Sequence, residues 1–310
     1  GTVVRSLILI IICLSLPSLA QAEYSRTYLD SYPLKTAQVN ALTIAYRIVE
    51  PGVDKPKAVV IMGLGGSNVA WGDALIAGLT NGGYEILILD NRDTGASTRF
   101  DSWGQPLLWW ELLKYRFGFS VNAPYTLNDM AADITRLMEK IGYEEAHIVG
   151  ASMGGMIAQI VAAQYPERTR SLISIMSTTN APHLPPPTKE AEMDLRNLAT
   201  GDAQEERERS IRERGFYPES MQRHLMAIFK TGDRSNEVAS IKAPTLVLHG
   251  ADDGLVPAEH GRHTASLIHN SRFLLIEGMA HNMPDEVIPL LVSEMTGHMN
   301  MVEAAGLSAP

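Results

Sequence analysis

Glu145-Ala146-His147-Ile148-Val149-Gly150-Ala151-Ser152-Met153-Gly154-Gly155 is the stretch that decides the architecture. Its first half is a short apolar run with strand character. Its second half opens a helical pattern that runs on through Met156 to Tyr165 and stops at Pro166. A serine between a strand and a helix, with a glycine two positions to either side, sits on a turn so sharp that its neighbours must be small. The serine oxygen then stands above the strand's end. The helix behind it points the positive end of its dipole at any negative charge that develops there. Ser152 is the candidate nucleophile.

Working outward from this turn, short apolar β-rich runs alternate with helical patterns. That is how an α/β chain with a mostly parallel central sheet flanked by helices reads. Candidate strands are Ala58 to Met62, Glu85 to Asp90, Ala146 to Val149, Leu172 to Met176, Thr245 to His249 and Phe273 to Glu277. Val39 to Val49 reads as an antiparallel lead-in. Leu127 to Ile141 is the clearest amphipathic helix, with Thr126 placed as its cap and Asp129 as an early acid.

Two segments break the alternation. Ser97 to Tyr125 is rich in rings, among them Trp103, Trp109, Trp110, Tyr115, Phe117 and Phe119. It is too apolar for an ordinary surface loop, and Trp109 and Trp110 are expected to line the acyl side of a pocket. Residues 178–240 open with His183-Leu184-Pro185-Pro186-Pro187 and then turn polar, with a charged run from Glu205 to Arg214. This reads as a helical cap inserted into the sheet topology, the charged run being a solvated helix face.

A serine hydroxyl is a weak nucleophile and needs an oriented base. In chain order an acid and then a histidine should follow, each after a later strand. Thr245 to His249 ends in Gly250-Ala251-Asp252-Asp253-Gly254, and Phe273 to Glu277 ends in Gly278-Met279-Ala280-His281-Asn282. Both place the required residue type just past a strand's C-terminal end, where ligands gather in open α/β sheets. A tetrahedral oxyanion needs two preorganised N–H donors. Met153, directly after the serine, supplies one, and the loop Met62-Gly63-Leu64-Gly65-Gly66-Ser67 is placed to supply the other.

These motifs, in this order, resemble those of the α/β-hydrolase superfamily, in its serine esterase and lipase-like branch with a helical cap. The resemblance runs from about Gln38 to Thr296. It implies the α/β-hydrolase fold and a triad of Ser152, Asp253 and His281. In the family's H-G-x-x-D turn the acid stands three residues after the glycine, which selects Asp253 and leaves Asp252 one short. His281 matches the family's G-x-x-H turn. Leu64 is implied as the second oxyanion donor, with Gly65 as its alternative, although Met62 stands where the family usually has histidine. Asp90-Asn91-Arg92-Asp93-Thr94-Gly95-Ala96-Ser97 resembles a D-x-R-G-x-G-x-S stretch that braces the site loops, with Asp93 where glycine is usual. The implied activity is hydrolysis of a small-molecule carboxylic ester through an acyl-enzyme, with no cofactor. Thioesterase, amidase or aminopeptidase, and C–C bond hydrolase chemistry remain alternatives, as does a non-catalytic ligand-binding member.

Bulk properties set the outer limits. The 310 residues carry a net charge of −9, with 45% hydrophobic and 20% charged residues, an ordinary globular composition. The charge disfavours nucleic acid, which needs a concentrated basic face. Residues 1–22 read as a signal peptide: Arg5, an apolar run from Leu7 to Leu16, Pro17, then Ala20-Gln21-Ala22 as a cleavage site. Cleavage would leave residues 23–310 as the hydrolase domain, periplasmic or secreted, with no stable membrane span. It would also remove Cys13, the single cysteine, and with it any disulfide or thiolate. Among the histidines, His147 reads as structural within its strand and His249 as packed behind the acid turn. His183 and His224 fall in the cap with no assigned role. No His/Asp/Glu cluster has metal-ligand spacing.

Overall fold

The computed structural model describes residues 24–191, 205, 209 and 213–307. The expected leader, 1–22, and most of the charged run from Glu205 to Arg214 lie outside the described residues.

Eight described strands form one sheet: β1 (Lys35–Val39), β2 (Leu42–Val49), β3 (Lys57–Ile61), β4 (Glu85–Leu89), β5 (Ala146–Ala151), β6 (Thr169–Ile175), β7 (Thr245–Gly250) and β8 (Ser271–Ile276). Their order is β1-β2-β4-β3-β5-β6-β7-β8. β1 and β2 form an antiparallel hairpin whose turn residues Asn40 and Ala41 both have positive φ, and β2 runs antiparallel to β4. From β4 to β8 every pairing is parallel. Parallel strands covered on both faces must be apolar on both. Accordingly Val59, Ile61, Leu87 and Ile148 join one core, while Ala58, Val60, Ile86 and Val149 join the other.

Helices supply the two outer layers. α1 (Thr27–Asp30), α2 (Asp73–Asn81) and α9 (Ile288–Leu307) cover one face through Leu29, Leu75, Leu79, Leu291 and Met295. α4 (Leu127–Ile141) and α5 (Met153–Gln164) cover the other through Ile134, Leu137, Ile157 and Ile160. α4 begins where the sequence places its cap. Thr126 Oγ1 accepts from the Asp129 amide at 3.2 Å, and the Asp129 carboxylate accepts from the Thr126 amide at 2.9 Å. This reciprocal box satisfies two donors that the first turn leaves open. α5 begins at Met153, three residues earlier than its apolar pattern suggests, because the sharp turn at Ser152 leads directly into it.

Four further described helices complete the set. α3 (Leu108–Arg116) lies in the aromatic segment. Between β6 and β7 come α6 (Pro218–Thr231) and α7 (Ser235–Ala239), and α6 packs on α3 and α4. α8 (Ala258–Leu267) connects β7 to β8. The strand order reverses at β3, with β4 on one side and β5 on the other. The connections leaving β3 and β5 therefore lead to helices on opposite faces of the sheet, and the Ser152 turn stands at that switch point. Among the described residues no helix is long and apolar enough to cross a membrane.

Candidate active site

Ser152 stands at the junction of β5 and α5 with φ 56° and ψ −121°, a conformation that L-residues avoid. Such a residue costs on the order of 1–3 kcal/mol unless its surroundings dictate it. Here they do. Its amide donates to Ile175 O at 2.9 Å, and its carbonyl accepts from Ser177 Oγ at 2.7 Å. The flanking glycines are obligatory. A Cβ at Gly150 would lie 2.0 Å from Gly154 O, and one at Gly154 would lie 2.0 Å from Ile61 O. The motif is thus a packing requirement that holds the Ser152 oxygen over the sheet's edge.

The loops after β7 and β8 bring their residues to that oxygen. Ser152 Oγ lies 3.1 Å from His281 Nε2, and His281 Nδ1 lies 2.8 Å from Asp253 Oδ2. The other carboxylate oxygen, Oδ1, accepts the amides of Leu255 at 3.0 Å and Val256 at 2.8 Å. With Asp253 acting as acceptor, Nδ1 carries the ring proton and Nε2 faces the serine hydroxyl as an acceptor. Burial alone would raise the Asp253 pKa. The His281 imidazole and hydrogen bonds from His249 and His281 outweigh it and hold the carboxyl well below the usual carboxylate range. His249 sits behind the acid, its Nε2 donating to Val256 O at 2.6 Å and lying 3.5 Å from Asp253 Oδ2. Asp252 is exposed and turns away, only its amide being engaged, to Met279 O at 3.0 Å.

The loop after β3 abuts the serine. A Cβ at Gly63 would lie 3.2 Å from Ser152 Cβ. Met153 is the first residue of α5, so its N–H has no acceptor within the helix. In the β3 loop the Gly65 N–H is taken by His224 Nδ1 at 3.0 Å and the Gly66 N–H by Gly63 O at 3.1 Å. The Leu64 N–H has no acceptor among the described hydrogen bonds. Of the two donors considered from sequence, Gly65 is occupied and Leu64 is free.

After β4, four consecutive residues brace four different parts of the site. Asp90 accepts the Asn68 amide at 2.6 Å, and Asn91 Nδ2 donates to Met62 O at 3.0 Å. Arg92 grips Asp133 on α4 with two bonds of 2.6 and 2.8 Å. Asp93, at φ 73°, faces the cap: Arg223 donates to both its carboxylate oxygens at 2.6 and 2.8 Å, and Tyr125 Oη donates at 2.6 Å. Ser220 Oγ donates to the Asp93 carbonyl. The aspartate standing in the usual glycine position is therefore the docking post for α6. Sequence reading did not single out Arg223 and placed His224 in the cap without a role, since neither belongs to a motif.

The remaining expected residues are dispersed. Trp109 and Trp110 lie on α3, 54% and 46% exposed, their rings 6.0 Å apart. None of the described hydrogen bonds or ring contacts joins them to Ser152, Asp253 or His281. His147 is buried between Ser171 Oγ at 2.6 Å and Glu303 Oε1 at 2.7 Å, far from the serine in bonding terms. His183 makes an edge-on contact with His263, ring centroids 4.8 Å apart. Among the described residues no group of three or more His, Cys, Asp or Glu is arranged to hold a metal ion.

Comparison with known proteins bears on the fold and the family. A family model described as the alpha/beta hydrolase fold matches residues 59–215. Rhodomycin D methylesterase DnrP of Streptomyces peucetius is 23% identical over 295 residues, covering 80% of this chain and 93% of that protein. A 2-hydroxy-6-oxononadienedioate/2-hydroxy-6-oxononatrienedioate hydrolase of Paraburkholderia phymatum is 24% identical over 262 residues, covering 75% and 83%. Among solved structures, the enol-lactonase from Burkholderia xenovorans LB400 superposes with a TM-score of 0.64 at 19% identity, covering 86% of this chain and 100% of that one, a likeness of fold. With the model spanning half the sequence, and the strand order and serine turn in place, the chain belongs to the α/β-hydrolase family.

Proposed function

We propose that this protein is a serine hydrolase of small carboxylic esters that works through an acyl-enzyme on Ser152. The observation that carries the reading is the relay from Ser152 Oγ to His281 Nε2 at 3.1 Å and from His281 Nδ1 to Asp253 Oδ2 at 2.8 Å. Ser152 Oγ attacks the ester carbonyl carbon as His281 takes its proton. The oxyanion meets the N–H groups of Met153 and Leu64, and His281 returns the proton to the leaving alcohol. Water, deprotonated in turn by His281, releases the acid and frees Ser152. Trp109 and Trp110 are assigned to the mouth of the acyl site, and the apolar leader is read as an export signal. The methylesterase among the relatives supports an ester substrate. A second reading, hydrolysis of a C–C bond, is favoured by the dienedioate hydrolase among them.

The test is turnover of p-nitrophenyl acetate with labelling by a fluorophosphonate. The protein should turn over many equivalents and take up one label at Ser152. Ser152→Ala should lower kcat on the order of a million-fold with the fold intact. Activity above a few per cent in that variant would falsify the nucleophile. Labelling without turnover would move the reading to a binding protein.

A further inference from the structure

We propose that His224, on the cap helix α6, is the positioning residue of the oxyanion loop, setting the Leu64 N–H toward Ser152 by holding the neighbouring Gly65 amide. The inference rests on the ester hydrolase reading above.

Gly63, Gly65 and Gly66 give this loop wide backbone freedom. A donor is useful only if preorganised, so something outside the loop must restrain it. Three successive peptide planes are pinned. The plane joining Gly63 to Leu64 is held by the Gly66 amide, which donates to Gly63 O at 3.1 Å. In a trans peptide the N–H points opposite to the C=O, so the Leu64 N–H is turned away from Gly66. The plane joining Leu64 to Gly65 is held by His224 Nδ1, which accepts the Gly65 N–H at 3.0 Å. The plane joining Gly65 to Gly66 is held by the Tyr217 amide, which donates to Gly65 O at 2.8 Å. The Ser67 amide completes the seam on Gly215 O at 2.8 Å, and Gly66 and Phe216 form a single β-bridge.

The chain thus fastens its oxyanion loop to the cap, and among the described residues His224 is the one side chain that does so by a hydrogen bond. The imidazole is held from behind. Its Nε2 donates to Arg92 O at 3.0 Å, so its proton is committed there and Nδ1 is left as an acceptor. The adjacent Arg223 is locked onto Asp93 by two bonds, which fixes the helix turn that carries the ring. Gly65 itself, at φ 64°, has no room for a side chain: a Cβ there would lie 2.8 Å from Met221 Cγ and from Tyr217 O. Only a neutral ring can accept the Gly65 amide. His224 is fully buried, and burial lowers its pKa, the Arg223 and Arg99 charges acting with it and Asp93 and the Arg92 carbonyl acting against it.

The test compares His224→Asn with His224→Gln in the full chain. Asparagine places its amide oxygen near the Nδ1 position and keeps an acceptor for Gly65. Glutamine reaches the Nε2 position and keeps only the bond to Arg92 O. Ester turnover is normalised to active sites titrated with a fluorophosphonate, so that unfolded protein does not count. His224→Gln should lose about a hundredfold in kcat, the lower end of what loss of an oxyanion donor costs, with KM little changed. His224→Asn should keep most of kcat. Trifluoromethyl ketone affinity, which reads the oxyanion directly, should follow kcat. Equal kcat in the two variants, or a loss confined to melting temperature or KM, overturns the proposal while the hydrolase reading stands. Turnover that survives Ser152→Ala overturns both.

Discussion

Asp252 and Asp253 are separated by one peptide bond and have opposite surroundings. Asp253 is buried, with one oxygen on His281 and the other on two amides. Asp252 is exposed and contributes only its backbone. An acid that fixes the imidazole tautomer is worth about ten-thousandfold in kcat. Asp253→Asn should therefore cost about that much against p-nitrophenyl acetate, and Asp252→Asn should leave kcat within a few-fold. A severe loss confined to Asp252→Asn would move the acid by one residue. The residue types at this site were legible because the sharp turn and the strand ends impose them locally. Asp93 was legible as a departure from pattern, but its reason was not. Its partner Arg223 lies 130 residues further along, and no local rule connects them.

The same limit appears among whole elements, and α6 shows its physical cause. The strands from β3 to β7 were readable because burial on both faces forces apolar runs, and α4 was readable from its stripe and its cap box. In α6 the buried face includes Met221, Leu225, Met226 and Ile228, but also Ser220, Arg223 and His224. These inward polar residues interrupt the apolar stripe, and nothing local names the partners they meet. The Arg223–Asp93 pair also makes a test at this scale. Both side chains are almost wholly buried, so removing Arg223 leaves the Asp93 carboxylate with Arg99, 3.8 Å away, in place of two direct bonds to a guanidinium. Such a break costs about 3–5 kcal/mol, whereas replacing both partners by apolar groups is often close to neutral. Arg223→Met should lower stability to urea by that amount. Adding Asp93→Gly, which also relieves the positive φ at that position, should recover most of it. Additive losses in this cycle would show that the pair is uncoupled.

Across the molecule, histidine burial sets a common response to acid. His147 is enclosed between β5, β6 and α9, with Ser171 Oγ at 2.6 Å, Glu303 Oε1 at 2.7 Å and the Tyr84 ring edge-on at 5.6 Å. Burial pushes its pKa down to about 4, although Glu303 pulls the other way. His224, His260 and His298 are shifted in the same direction, burial being the largest cause in each. An unfolded histidine takes up its proton near pH 6.5. Below that pH the unfolded chain binds more protons than the native one, so stability falls as pH falls. For His147 the loss starts near its unfolded value of about 6.5 and is complete once the pH has passed the folded value of about 4. That gap corresponds to roughly 3 kcal/mol. The depressed Asp253 carboxylate adds a second loss at still lower pH, beginning as the pH passes its unfolded value near 3.9. Urea unfolding at pH 7, 5.5 and 4.5 should show most of the first loss before the second begins. His147→Gln keeps a donor toward Glu303 and has no proton to gain. Its stability should start lower at pH 7 and fall less steeply by pH 4.5, so that the two curves converge. Parallel curves would mean that the buried imidazole at 147 does not carry the acid response, and that the other buried histidines do.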